Sequence, residues 1–320
     1  KMKKVGIIGG SGYTGGELIR LVFNHPALVL DFVYSTSRPG TPLHDTHIDL
    51  LGRSQINFTD KINLEVDIVF LCIGHGKSIK FLEKNQFSRE TIIIDLSNDF
   101  RLEKDAQFQD YNFVYGLPEY QKNKIESARA IANPGCFATA IQLALLPLVE
   151  EGLIKEAVHI NATTGSTGAG VGSSPTLHFS WRNNNISWYK PFTHQHLGEI
   201  GETLENPKIY FLPQRGNFTR GIFSSCYTRF EKSFEYAENL YKNYYNTHLF
   251  TNVSDNEISL KQVVNTNNCV VHLHKYEDQL LVTSAIDNLL KGASGQAIQN
   301  LNLIMGWEED LGLQLKASVY

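Results

Sequence analysis

The sequence predicts an α/β protein, with a Rossmann-type parallel-sheet domain followed by an α+β domain whose sheet is mixed or antiparallel. Three observations lead there. Continuous apolar runs alternate with helix-patterned segments through the first half of the 320-residue chain. A glycine-rich turn joins the first run to the first helix pattern, in the order strand, turn, helix. Beyond Gly152 the runs give way to alternating apolar and polar residues, the pattern of half-exposed strands.

Composition narrows the function classes. Hydrophobic content of 42% and charged content of 19% are ordinary for a globular protein, and the length can supply a core to each of two domains. A formal net charge of -4 leaves no basic footprint for nucleic acid. No apolar run reaches the roughly 20 residues that span a bilayer, so no membrane partner is expected. Cys72, Cys136, Cys226 and Cys269 are widely spaced, and all but Cys136 lie in strand-like runs. That suits a reducing compartment better than a disulfide framework. Lys3-Lys4 runs straight into a strand with no leader pattern, so the expected location is cytoplasmic.

Residues 5–8 read as a short buried strand, and Gly9-Gly10-Ser11-Gly12-Tyr13-Thr14-Gly15 follows at once. From Glu17 to Phe23, Leu18, Leu21 and Val22 recur at helical spacing. Gly9, Gly12 and Gly15 permit a tight turn and close approach of a pyrophosphate, with Ser11, Tyr13 and Thr14 filling the loop. The second strand, residues 29–34, ends in Ser35-Thr36-Ser37-Arg38, beginning 20 residues past Gly15. An NAD site places a carboxylate there for the ribose hydroxyls. Ser35, Ser37 and Arg38 instead suit a 2′-phosphate, so the expected cofactor is NADP(H). The competing reading is a polar loop that happens to hold an arginine.

Residues 68–73 and 91–96 are continuous apolar runs, as parallel strands covered on both faces should be. Gly74-His75-Gly76 follows the first and Ser97-Asn98-Asp99-Phe100-Arg101 the second, both at carboxyl ends where open α/β sheets bind ligands. Gly74, His75 and Ser97 therefore join the expected cofactor set, although His75 reads equally well as loop filler.

A short strand at 128–132 leads into Asn133-Pro134-Gly135-Cys136, and residues 139–149 are almost wholly apolar, as in a helix buried on most faces. Asn133 suits the N-cap and Pro134 the first helical position. Cys136 then falls in the first turn, where open N–H groups and the helix dipole favour a thiolate. An unaided thiol, with a pKa of about 8.5, is only about 3% ionised at pH 7. The competing reading is a small buried hydrophobe.

Alternating strands are expected at 158–163, 209–212, 223–230, 268–274 and 280–284. The loop Gly165-Ser166-Thr167-Gly168-Ala169-Gly170 is rich in backbone and hydroxyl donors for an oxyanion or phosphate. His194-Gln195-His196-Leu197-Gly198-Glu199-Ile200 supplies a base able to share a proton with a thiol. Its histidines lie 58 and 60 residues past Cys136, so they can meet it only through the fold. No cysteine cluster or third histidine stands near them, and no metal site is expected.

Together these segments resemble the N-acetyl-γ-glutamyl-phosphate reductase family, related in plan to aspartate-semialdehyde dehydrogenase. The resemblance spans nearly the whole chain. It rests on Gly10-Ser11-Gly12-Tyr13-Thr14-Gly15, Asp95-Leu96-Ser97-Asn98-Asp99-Phe100-Arg101, Tyr115-Gly116-Leu117-Pro118-Glu119 and Asn133-Pro134-Gly135-Cys136. It continues through His194-x-His196-x-x-Glu199-Ile200, Arg220-Gly221-Ile222 and Gly292-Ala293-Ser294-Gly295-Gln296-Ala297-Ile298-Gln299-Asn300.

The resemblance implies NADPH-dependent reduction of an N-acyl-γ-glutamyl phosphate to the N-acyl-glutamate 5-semialdehyde and inorganic phosphate, in arginine biosynthesis. Cys136 would form a thioester, and His196, or else His194, would act as general acid and base. Arg220 and Arg101 would meet the substrate's carboxylate or phosphate, the alternative for Arg101 being a structural ion pair. Asn133, Ser166 and Glu199 complete the implied substrate set. The 292–300 segment would return to the first domain and bring Asn300 beside the cofactor. The implied division is 2–135 with 292–320 for NADP, and 136–291 for catalysis and oligomerisation as a homodimer or homotetramer.

One region departs from the family pattern. Ahead of Arg220-Gly221-Ile222 the family usually has a Pro-His…Pro segment, where this chain has Pro213-Gln214-Arg215-Gly216-Asn217-Phe218-Thr219. The family implies an acetyl substrate. Arg215 would suit an acyl chain ending in a carboxylate, such as succinyl, the plainer reading being a surface arginine in a drifting loop. An aspartate-semialdehyde-type dehydrogenase acting on a different acyl phosphate, and a non-catalytic NADP-binding protein, are the alternative functions.

Overall fold

The computed structural model describes residues 1–319. The chain divides into two compact units, Lys1–Pro134 with Ala293–Gln314, and Gly135–Gly292 with the tail from Leu315. In the first, β1 (Lys3–Ile8), β2 (Leu28–Tyr34), β3 (Phe58–Thr59), β4 (Ile68–Leu71), β5 (Ile92–Asp95), β6 (Gln107–Phe108), β7 (Tyr111–Tyr115) and β8 (Ala130–Ala132) form one sheet. Its order is β3-β2-β1-β4-β5-β8-β7-β6. Every pairing is parallel except β6 with β7. β4 is buried at every position, as a continuous apolar run requires. Helices α1 (Tyr13–Asn24), α2 (Ser78–Lys84) and α3 (Pro118–Glu126) connect the strands.

A helix from near the end of the chain, Gly295–Ile304, belongs to this unit and is buried over Gly295–Leu303. Its Asn300 Nδ2 donates to the Gly116 carbonyl at 2.8 Å and to Asn133 Oδ1 at 3.1 Å.

The second unit is built on β9 (Val158–Thr164), β10 (Ser187–Trp188), β11 (Ile209–Arg215), β12 (Ile222–Arg229), β13 (Thr251–Ser254), β14 (Cys269–Tyr276) and β15 (Gln279–Ile286), ordered β10-β11-β9-β12-β15-β14-β13. The pairs β9–β11 and β13–β14 are parallel and the others antiparallel, so the sheet is mixed. Helices α4 (Cys136–Glu150), α5 (Phe179–Arg182), α6 (Leu197–Thr203) and α7 (Phe234–Tyr245) accompany it, and Gly295–Ile304 is α8.

Helix α4 packs on β12 and β15, and every residue from Phe137 to Leu148 is buried. Pro147 lies inside it and has no N–H to give the Leu143 carbonyl four residues back. Helix α7 makes good the loss. The Tyr245 hydroxyl donates to Leu143 O at 2.5 Å, and the Tyr241 hydroxyl to Ala144 O at 2.5 Å.

Three expectations need correction. Helix α4 begins at Cys136 with Gly135 as its N-cap, not at Asn133-Pro134. The Asn133 side chain is engaged elsewhere, its Nδ2 donating to Ala293 O at 3.0 Å. Strand β11 continues through Pro213 to Arg215, where a loop was expected. Its outer neighbour β10 has only two residues, so the missing proline N–H breaks no long ladder. The 315–319 tail, expected in the first domain, groups with the second unit, where Ser318 N–H donates to Val264 O at 3.0 Å.

Replacing Tyr245 with Phe leaves the buried Leu143 carbonyl unsatisfied. Urea denaturation of Tyr245→Phe should show a loss of about 1–3 kcal/mol; an unchanged midpoint would mean the hydroxyl does not complete the helix.

Candidate active site

In the first unit, the loop after β1 turns directly into α1. Its N-cap is Gly12, with no side-chain cap and no acidic residue in the first turn. The first N–H groups are thus left for an anion. A Cβ on Gly15 would stand 2.6 Å from Gly10 Cα, so only glycine lets the helix start so close to the turn. His47, which sequence patterning did not single out, closes the loop's other side, its Nε2 2.7 Å from Gly10 O. Ser35 and Ser37 lie together at the end of β2, their hydroxyls 3.3 Å apart, and exposed Arg38 follows. These residues fit a dinucleotide with a phosphorylated ribose. Gly74 and His75 follow β4, and the Asn98 N–H donates to His75 Nδ1 at 3.1 Å.

Ser97 and Asn300 are buried, which sets them apart from the exposed members of the expected cofactor set. The Ser97 hydroxyl donates to Asp95 at 2.6 Å, as does that of Ser78. Burial pushes the Asp95 carboxyl up to about 6, against the opposing pull of those hydroxyls. Arg101 donates to the backbone carbonyls of Asn133, at 2.9 Å, and Leu96, at 3.1 Å.

In the second unit, Cys136 is the first residue of α4 and is half-buried. Burial pushes the Cys72 and Cys226 thiols up to about 12, which makes them inert near neutrality. A Cβ on Gly135 would collide with the His196 imidazole, and one on Gly292 would stand 2.8 Å from Cys136 Cβ. Two glycines therefore clear the space around the thiol-bearing residue and bring His196 against the residue before it. The Gly135 N–H donates to Glu199 Oε2 at 2.9 Å, and Glu199 Oε1 lies 4.0 Å from His196 Nε2. Glu199, expected at the substrate, is buried and oriented toward these two groups. His194 Nδ1 accepts the His196 N–H at 3.2 Å. Its ring packs against Phe137, Phe211 and Tyr189 at centroid distances of 5.3, 5.5 and 5.7 Å. A thiol at a helix start, an imidazole against the residue before it and a carboxylate that holds that residue's N–H form an arrangement suited to acyl transfer.

Arg220 pairs with buried Asp287, Nε to Oδ2 at 3.1 Å and Nη2 to Oδ1 at 3.2 Å. Asp287 is held in turn by the N–H groups of Asn265 and Leu289, at 2.6 and 2.8 Å. The 165–170 loop offers fewer anion donors than its composition suggests. The Ser166 and Thr167 N–H groups donate to the carbonyls of Phe218 and Thr219, at 2.9 and 3.0 Å. Arg215 lies over the Tyr189 ring, 4.0 Å from its centroid, at the end of β11. Burial raises the Tyr189 hydroxyl pKa well above its ordinary value, Cys136 adds to the rise, and Arg215 and Arg182 oppose it. Tyr189, Arg182 and Asp287 are further side chains that sequence reading missed: the first two lie in a stretch with no periodic pattern, and Asp287 falls just past the end of β15.

Comparison with known proteins follows this division. A family described as semialdehyde dehydrogenase, NAD binding domain, matches residues 4–128, and one described as semialdehyde dehydrogenase, dimerisation domain, matches residues 136–288. Over 99% of each chain, the sequence is 58% identical to the N-acetyl-gamma-glutamyl-phosphate reductase of Flavobacterium johnsoniae. It is 54% identical to that of Christiangramia forsetii over the full length of both. Among solved structures, aspartate semialdehyde dehydrogenase II from Vibrio cholerae superposes with a TM-score of 0.71 at 14% identity, covering 96% of this chain and 99% of that one.

The Asp95 carboxyl predicts a pH effect. Its native pKa of about 6 exceeds the ordinary 3.8, so the folded state binds its proton more tightly than the unfolded chain. The contribution to stability therefore falls as pH rises from about 4 to about 6 and is flat above. Thermal melts across that window should lose this slope in Asp95→Asn; parallel profiles for the two proteins would contradict it.

Proposed function

The chain belongs to the N-acetyl-γ-glutamyl-phosphate reductase family of semialdehyde dehydrogenases, and from that premise we propose how its own residues perform the reaction. The enzyme reduces an N-acyl-γ-glutamyl phosphate to the N-acyl-glutamate 5-semialdehyde, with release of phosphate, in arginine biosynthesis. Its cofactor is NADP(H). The unit of residues 1–134 with 293–314 is taken as the cofactor domain, and that of 135–292 as the catalytic and oligomerisation domain.

The Cys136 thiol passes its proton to His196, and the resulting thiolate attacks the γ-carbonyl carbon. A tetrahedral oxyanion forms, and N–H groups at the uncapped start of α4 stabilise it. The bond to the phosphate oxygen breaks, inorganic phosphate leaves, and a thioester remains on Cys136. When bound, NADPH supplies a hydride. Collapse of the thiohemiacetal left by reduction expels the Cys136 thiolate and releases the aldehyde, with His196 moving the accompanying proton. His194 orients His196 through the Nδ1 contact to its backbone. Arg220, fixed in place by Asp287, is the group that meets the α-carboxylate. In the cofactor domain the 9–15 loop and α1 hold the pyrophosphate, and Ser35, Ser37 and Arg38 the 2′-phosphate. The observation that carries this reading is the His196 ring packed on Gly135 beside Cys136, with Glu199 bridging the two.

A family described as a dimerisation domain supports a homodimer, or a homotetramer built from it, for this chain. Among the described residues no helix is long and apolar enough to cross a membrane. A cytoplasmic location is part of this proposal.

The test is phosphate-dependent NADP+ reduction with N-acyl-glutamate 5-semialdehydes. Cys136→Ser should abolish turnover while NADPH fluorescence still reports binding, and His196→Asn should lower kcat by about 10²–10⁴. Failure of every acyl semialdehyde to yield NADPH would overturn the assignment. Arg38→Ser should erode the preference for NADP+ over NAD+ by about tenfold or more, the worth of one charge-assisted hydrogen bond. An unchanged ratio would remove Arg38 from the 2′-phosphate site.

A further inference from the structure

Two guanidiniums stand together in the second unit without a carboxylate. Arg215 is stacked over Tyr189, 4.0 Å from the ring centroid. Arg182, the last residue of α5, is only 8% exposed. Its Nη2 donates to the Thr164 carbonyl at 3.3 Å, and among the described residues its buried Nε has no hydrogen-bond partner. Thr164 is also the strand partner of Arg215, across β9 and β11. Among the described residues neither arginine has an Asp or Glu within ion-pair distance, in contrast to Arg220. Burial lowers the Arg182 pKa, and the neighbouring Arg215 charge lowers it further, with Tyr189 opposing.

A buried, unneutralised guanidinium with an open donor is costly unless an anion completes it. Tyr189 connects the pair to the chemistry. Its hydroxyl lies within electrostatic reach of Cys136, Arg215 and Arg182 at once, and its ring is edge-on to His194 at 5.7 Å. Any N-acyl-γ-glutamyl phosphate brings an α-carboxylate and a phosphate; in the reading above Arg220 meets the first, and the start of α4 meets the oxyanion at the carbon that carries the second. The Arg182–Arg215 pair has no part in either role and suits a further anion. An acetyl methyl would leave the buried Arg182 and the half-buried Arg215 without an anion, whereas a carboxylate would meet both through charge-assisted hydrogen bonds.

We propose that Arg215 and Arg182 bind a carboxylate at the far end of the substrate's acyl group, so that the enzyme prefers a dicarboxylic acyl chain such as succinyl to acetyl. This rests on the reductase reading, and the test separates the two. With the full-length enzyme, kcat/KM for phosphate-dependent NADP+ reduction is compared between N-succinyl- and N-acetyl-glutamate 5-semialdehyde. The succinyl substrate should be favoured by about 10- to 100-fold, and Arg215→Gln should cut that ratio about tenfold or more, chiefly through KM. Arg215→Lys, which keeps the charge, should restore part of it. Arg182→Gln should act in the same direction; because Arg182 is buried, its fold is checked by thermal melting, and Arg215→Gln decides the matter by itself. Equal losses on both substrates would assign the pair to the α-carboxylate or phosphate and overturn the proposal. So would an acetyl preference that Arg215→Gln leaves unaltered. Inactivity with both substrates would instead overturn the reductase reading beneath it.

Discussion

The hydrogen bond from the Gly135 N–H to Glu199 ties the start of one helix that carries the candidate chemistry to the other. Helix α4 is held by burial along nearly its whole length. Helix α6 spans only Leu197–Thr203 and would be marginal by itself. Gln142, from inside α4, also donates to the Glu199 carbonyl at 3.1 Å, so this residue is gripped at both its side chain and its backbone. His196 precedes α6 directly, and its ring rests where a Gly135 Cβ would be. The imidazole thus takes its position from a packed core and not from the propensity of a short helix, as a precise site requires.

Charge in the second unit is handled in two opposite ways. Asp287 collects backbone N–H groups before it meets Arg220, so that guanidinium is fixed and its charge largely answered. Arg182 and Arg215 are fixed by a carbonyl and an aromatic face, which orient a cation without neutralising it. A group positioned but unneutralised is prepared for a ligand in advance and needs little rearrangement to receive it.

The parts legible in the sequence were those with a long period or a continuous run. The buried β4 and β5, the apolar α4, the glycine turn before α1 and the alternating β12, β14 and β15 all declared themselves. Strands β3, β6 and β10 have two residues each, too few to show any period. Pro213 hid the end of β11, because proline in a strand normally argues for an edge or a break. Asn133 looked like a cap since its chemistry suits one, yet Ala293 and Asn300, distant in sequence, claim its side chain. Cys136, His196 and Glu199 were visible as residue types at suggestive spacings. Gly135 and Gly292 take their meaning from what a Cβ would strike, and only the fold reveals that. Arg182 and Tyr189 lie in an irregular stretch where no local signal distinguishes them from surface residues.

The chain's path between units bears on how the protein is made. Helix α8 lies almost at the end of the sequence, yet its Asn300 joins Gly116 to Asn133 inside the unit that opens the chain. On the ribosome, where folding proceeds from the amino end at about 5–20 residues per second, the first unit must wait until synthesis has passed Ile304 before this helix fills its place. The segment synthesised first is therefore among the last to be completed. Until then, the surface that α8 will cover is exposed to chaperones and to other nascent chains.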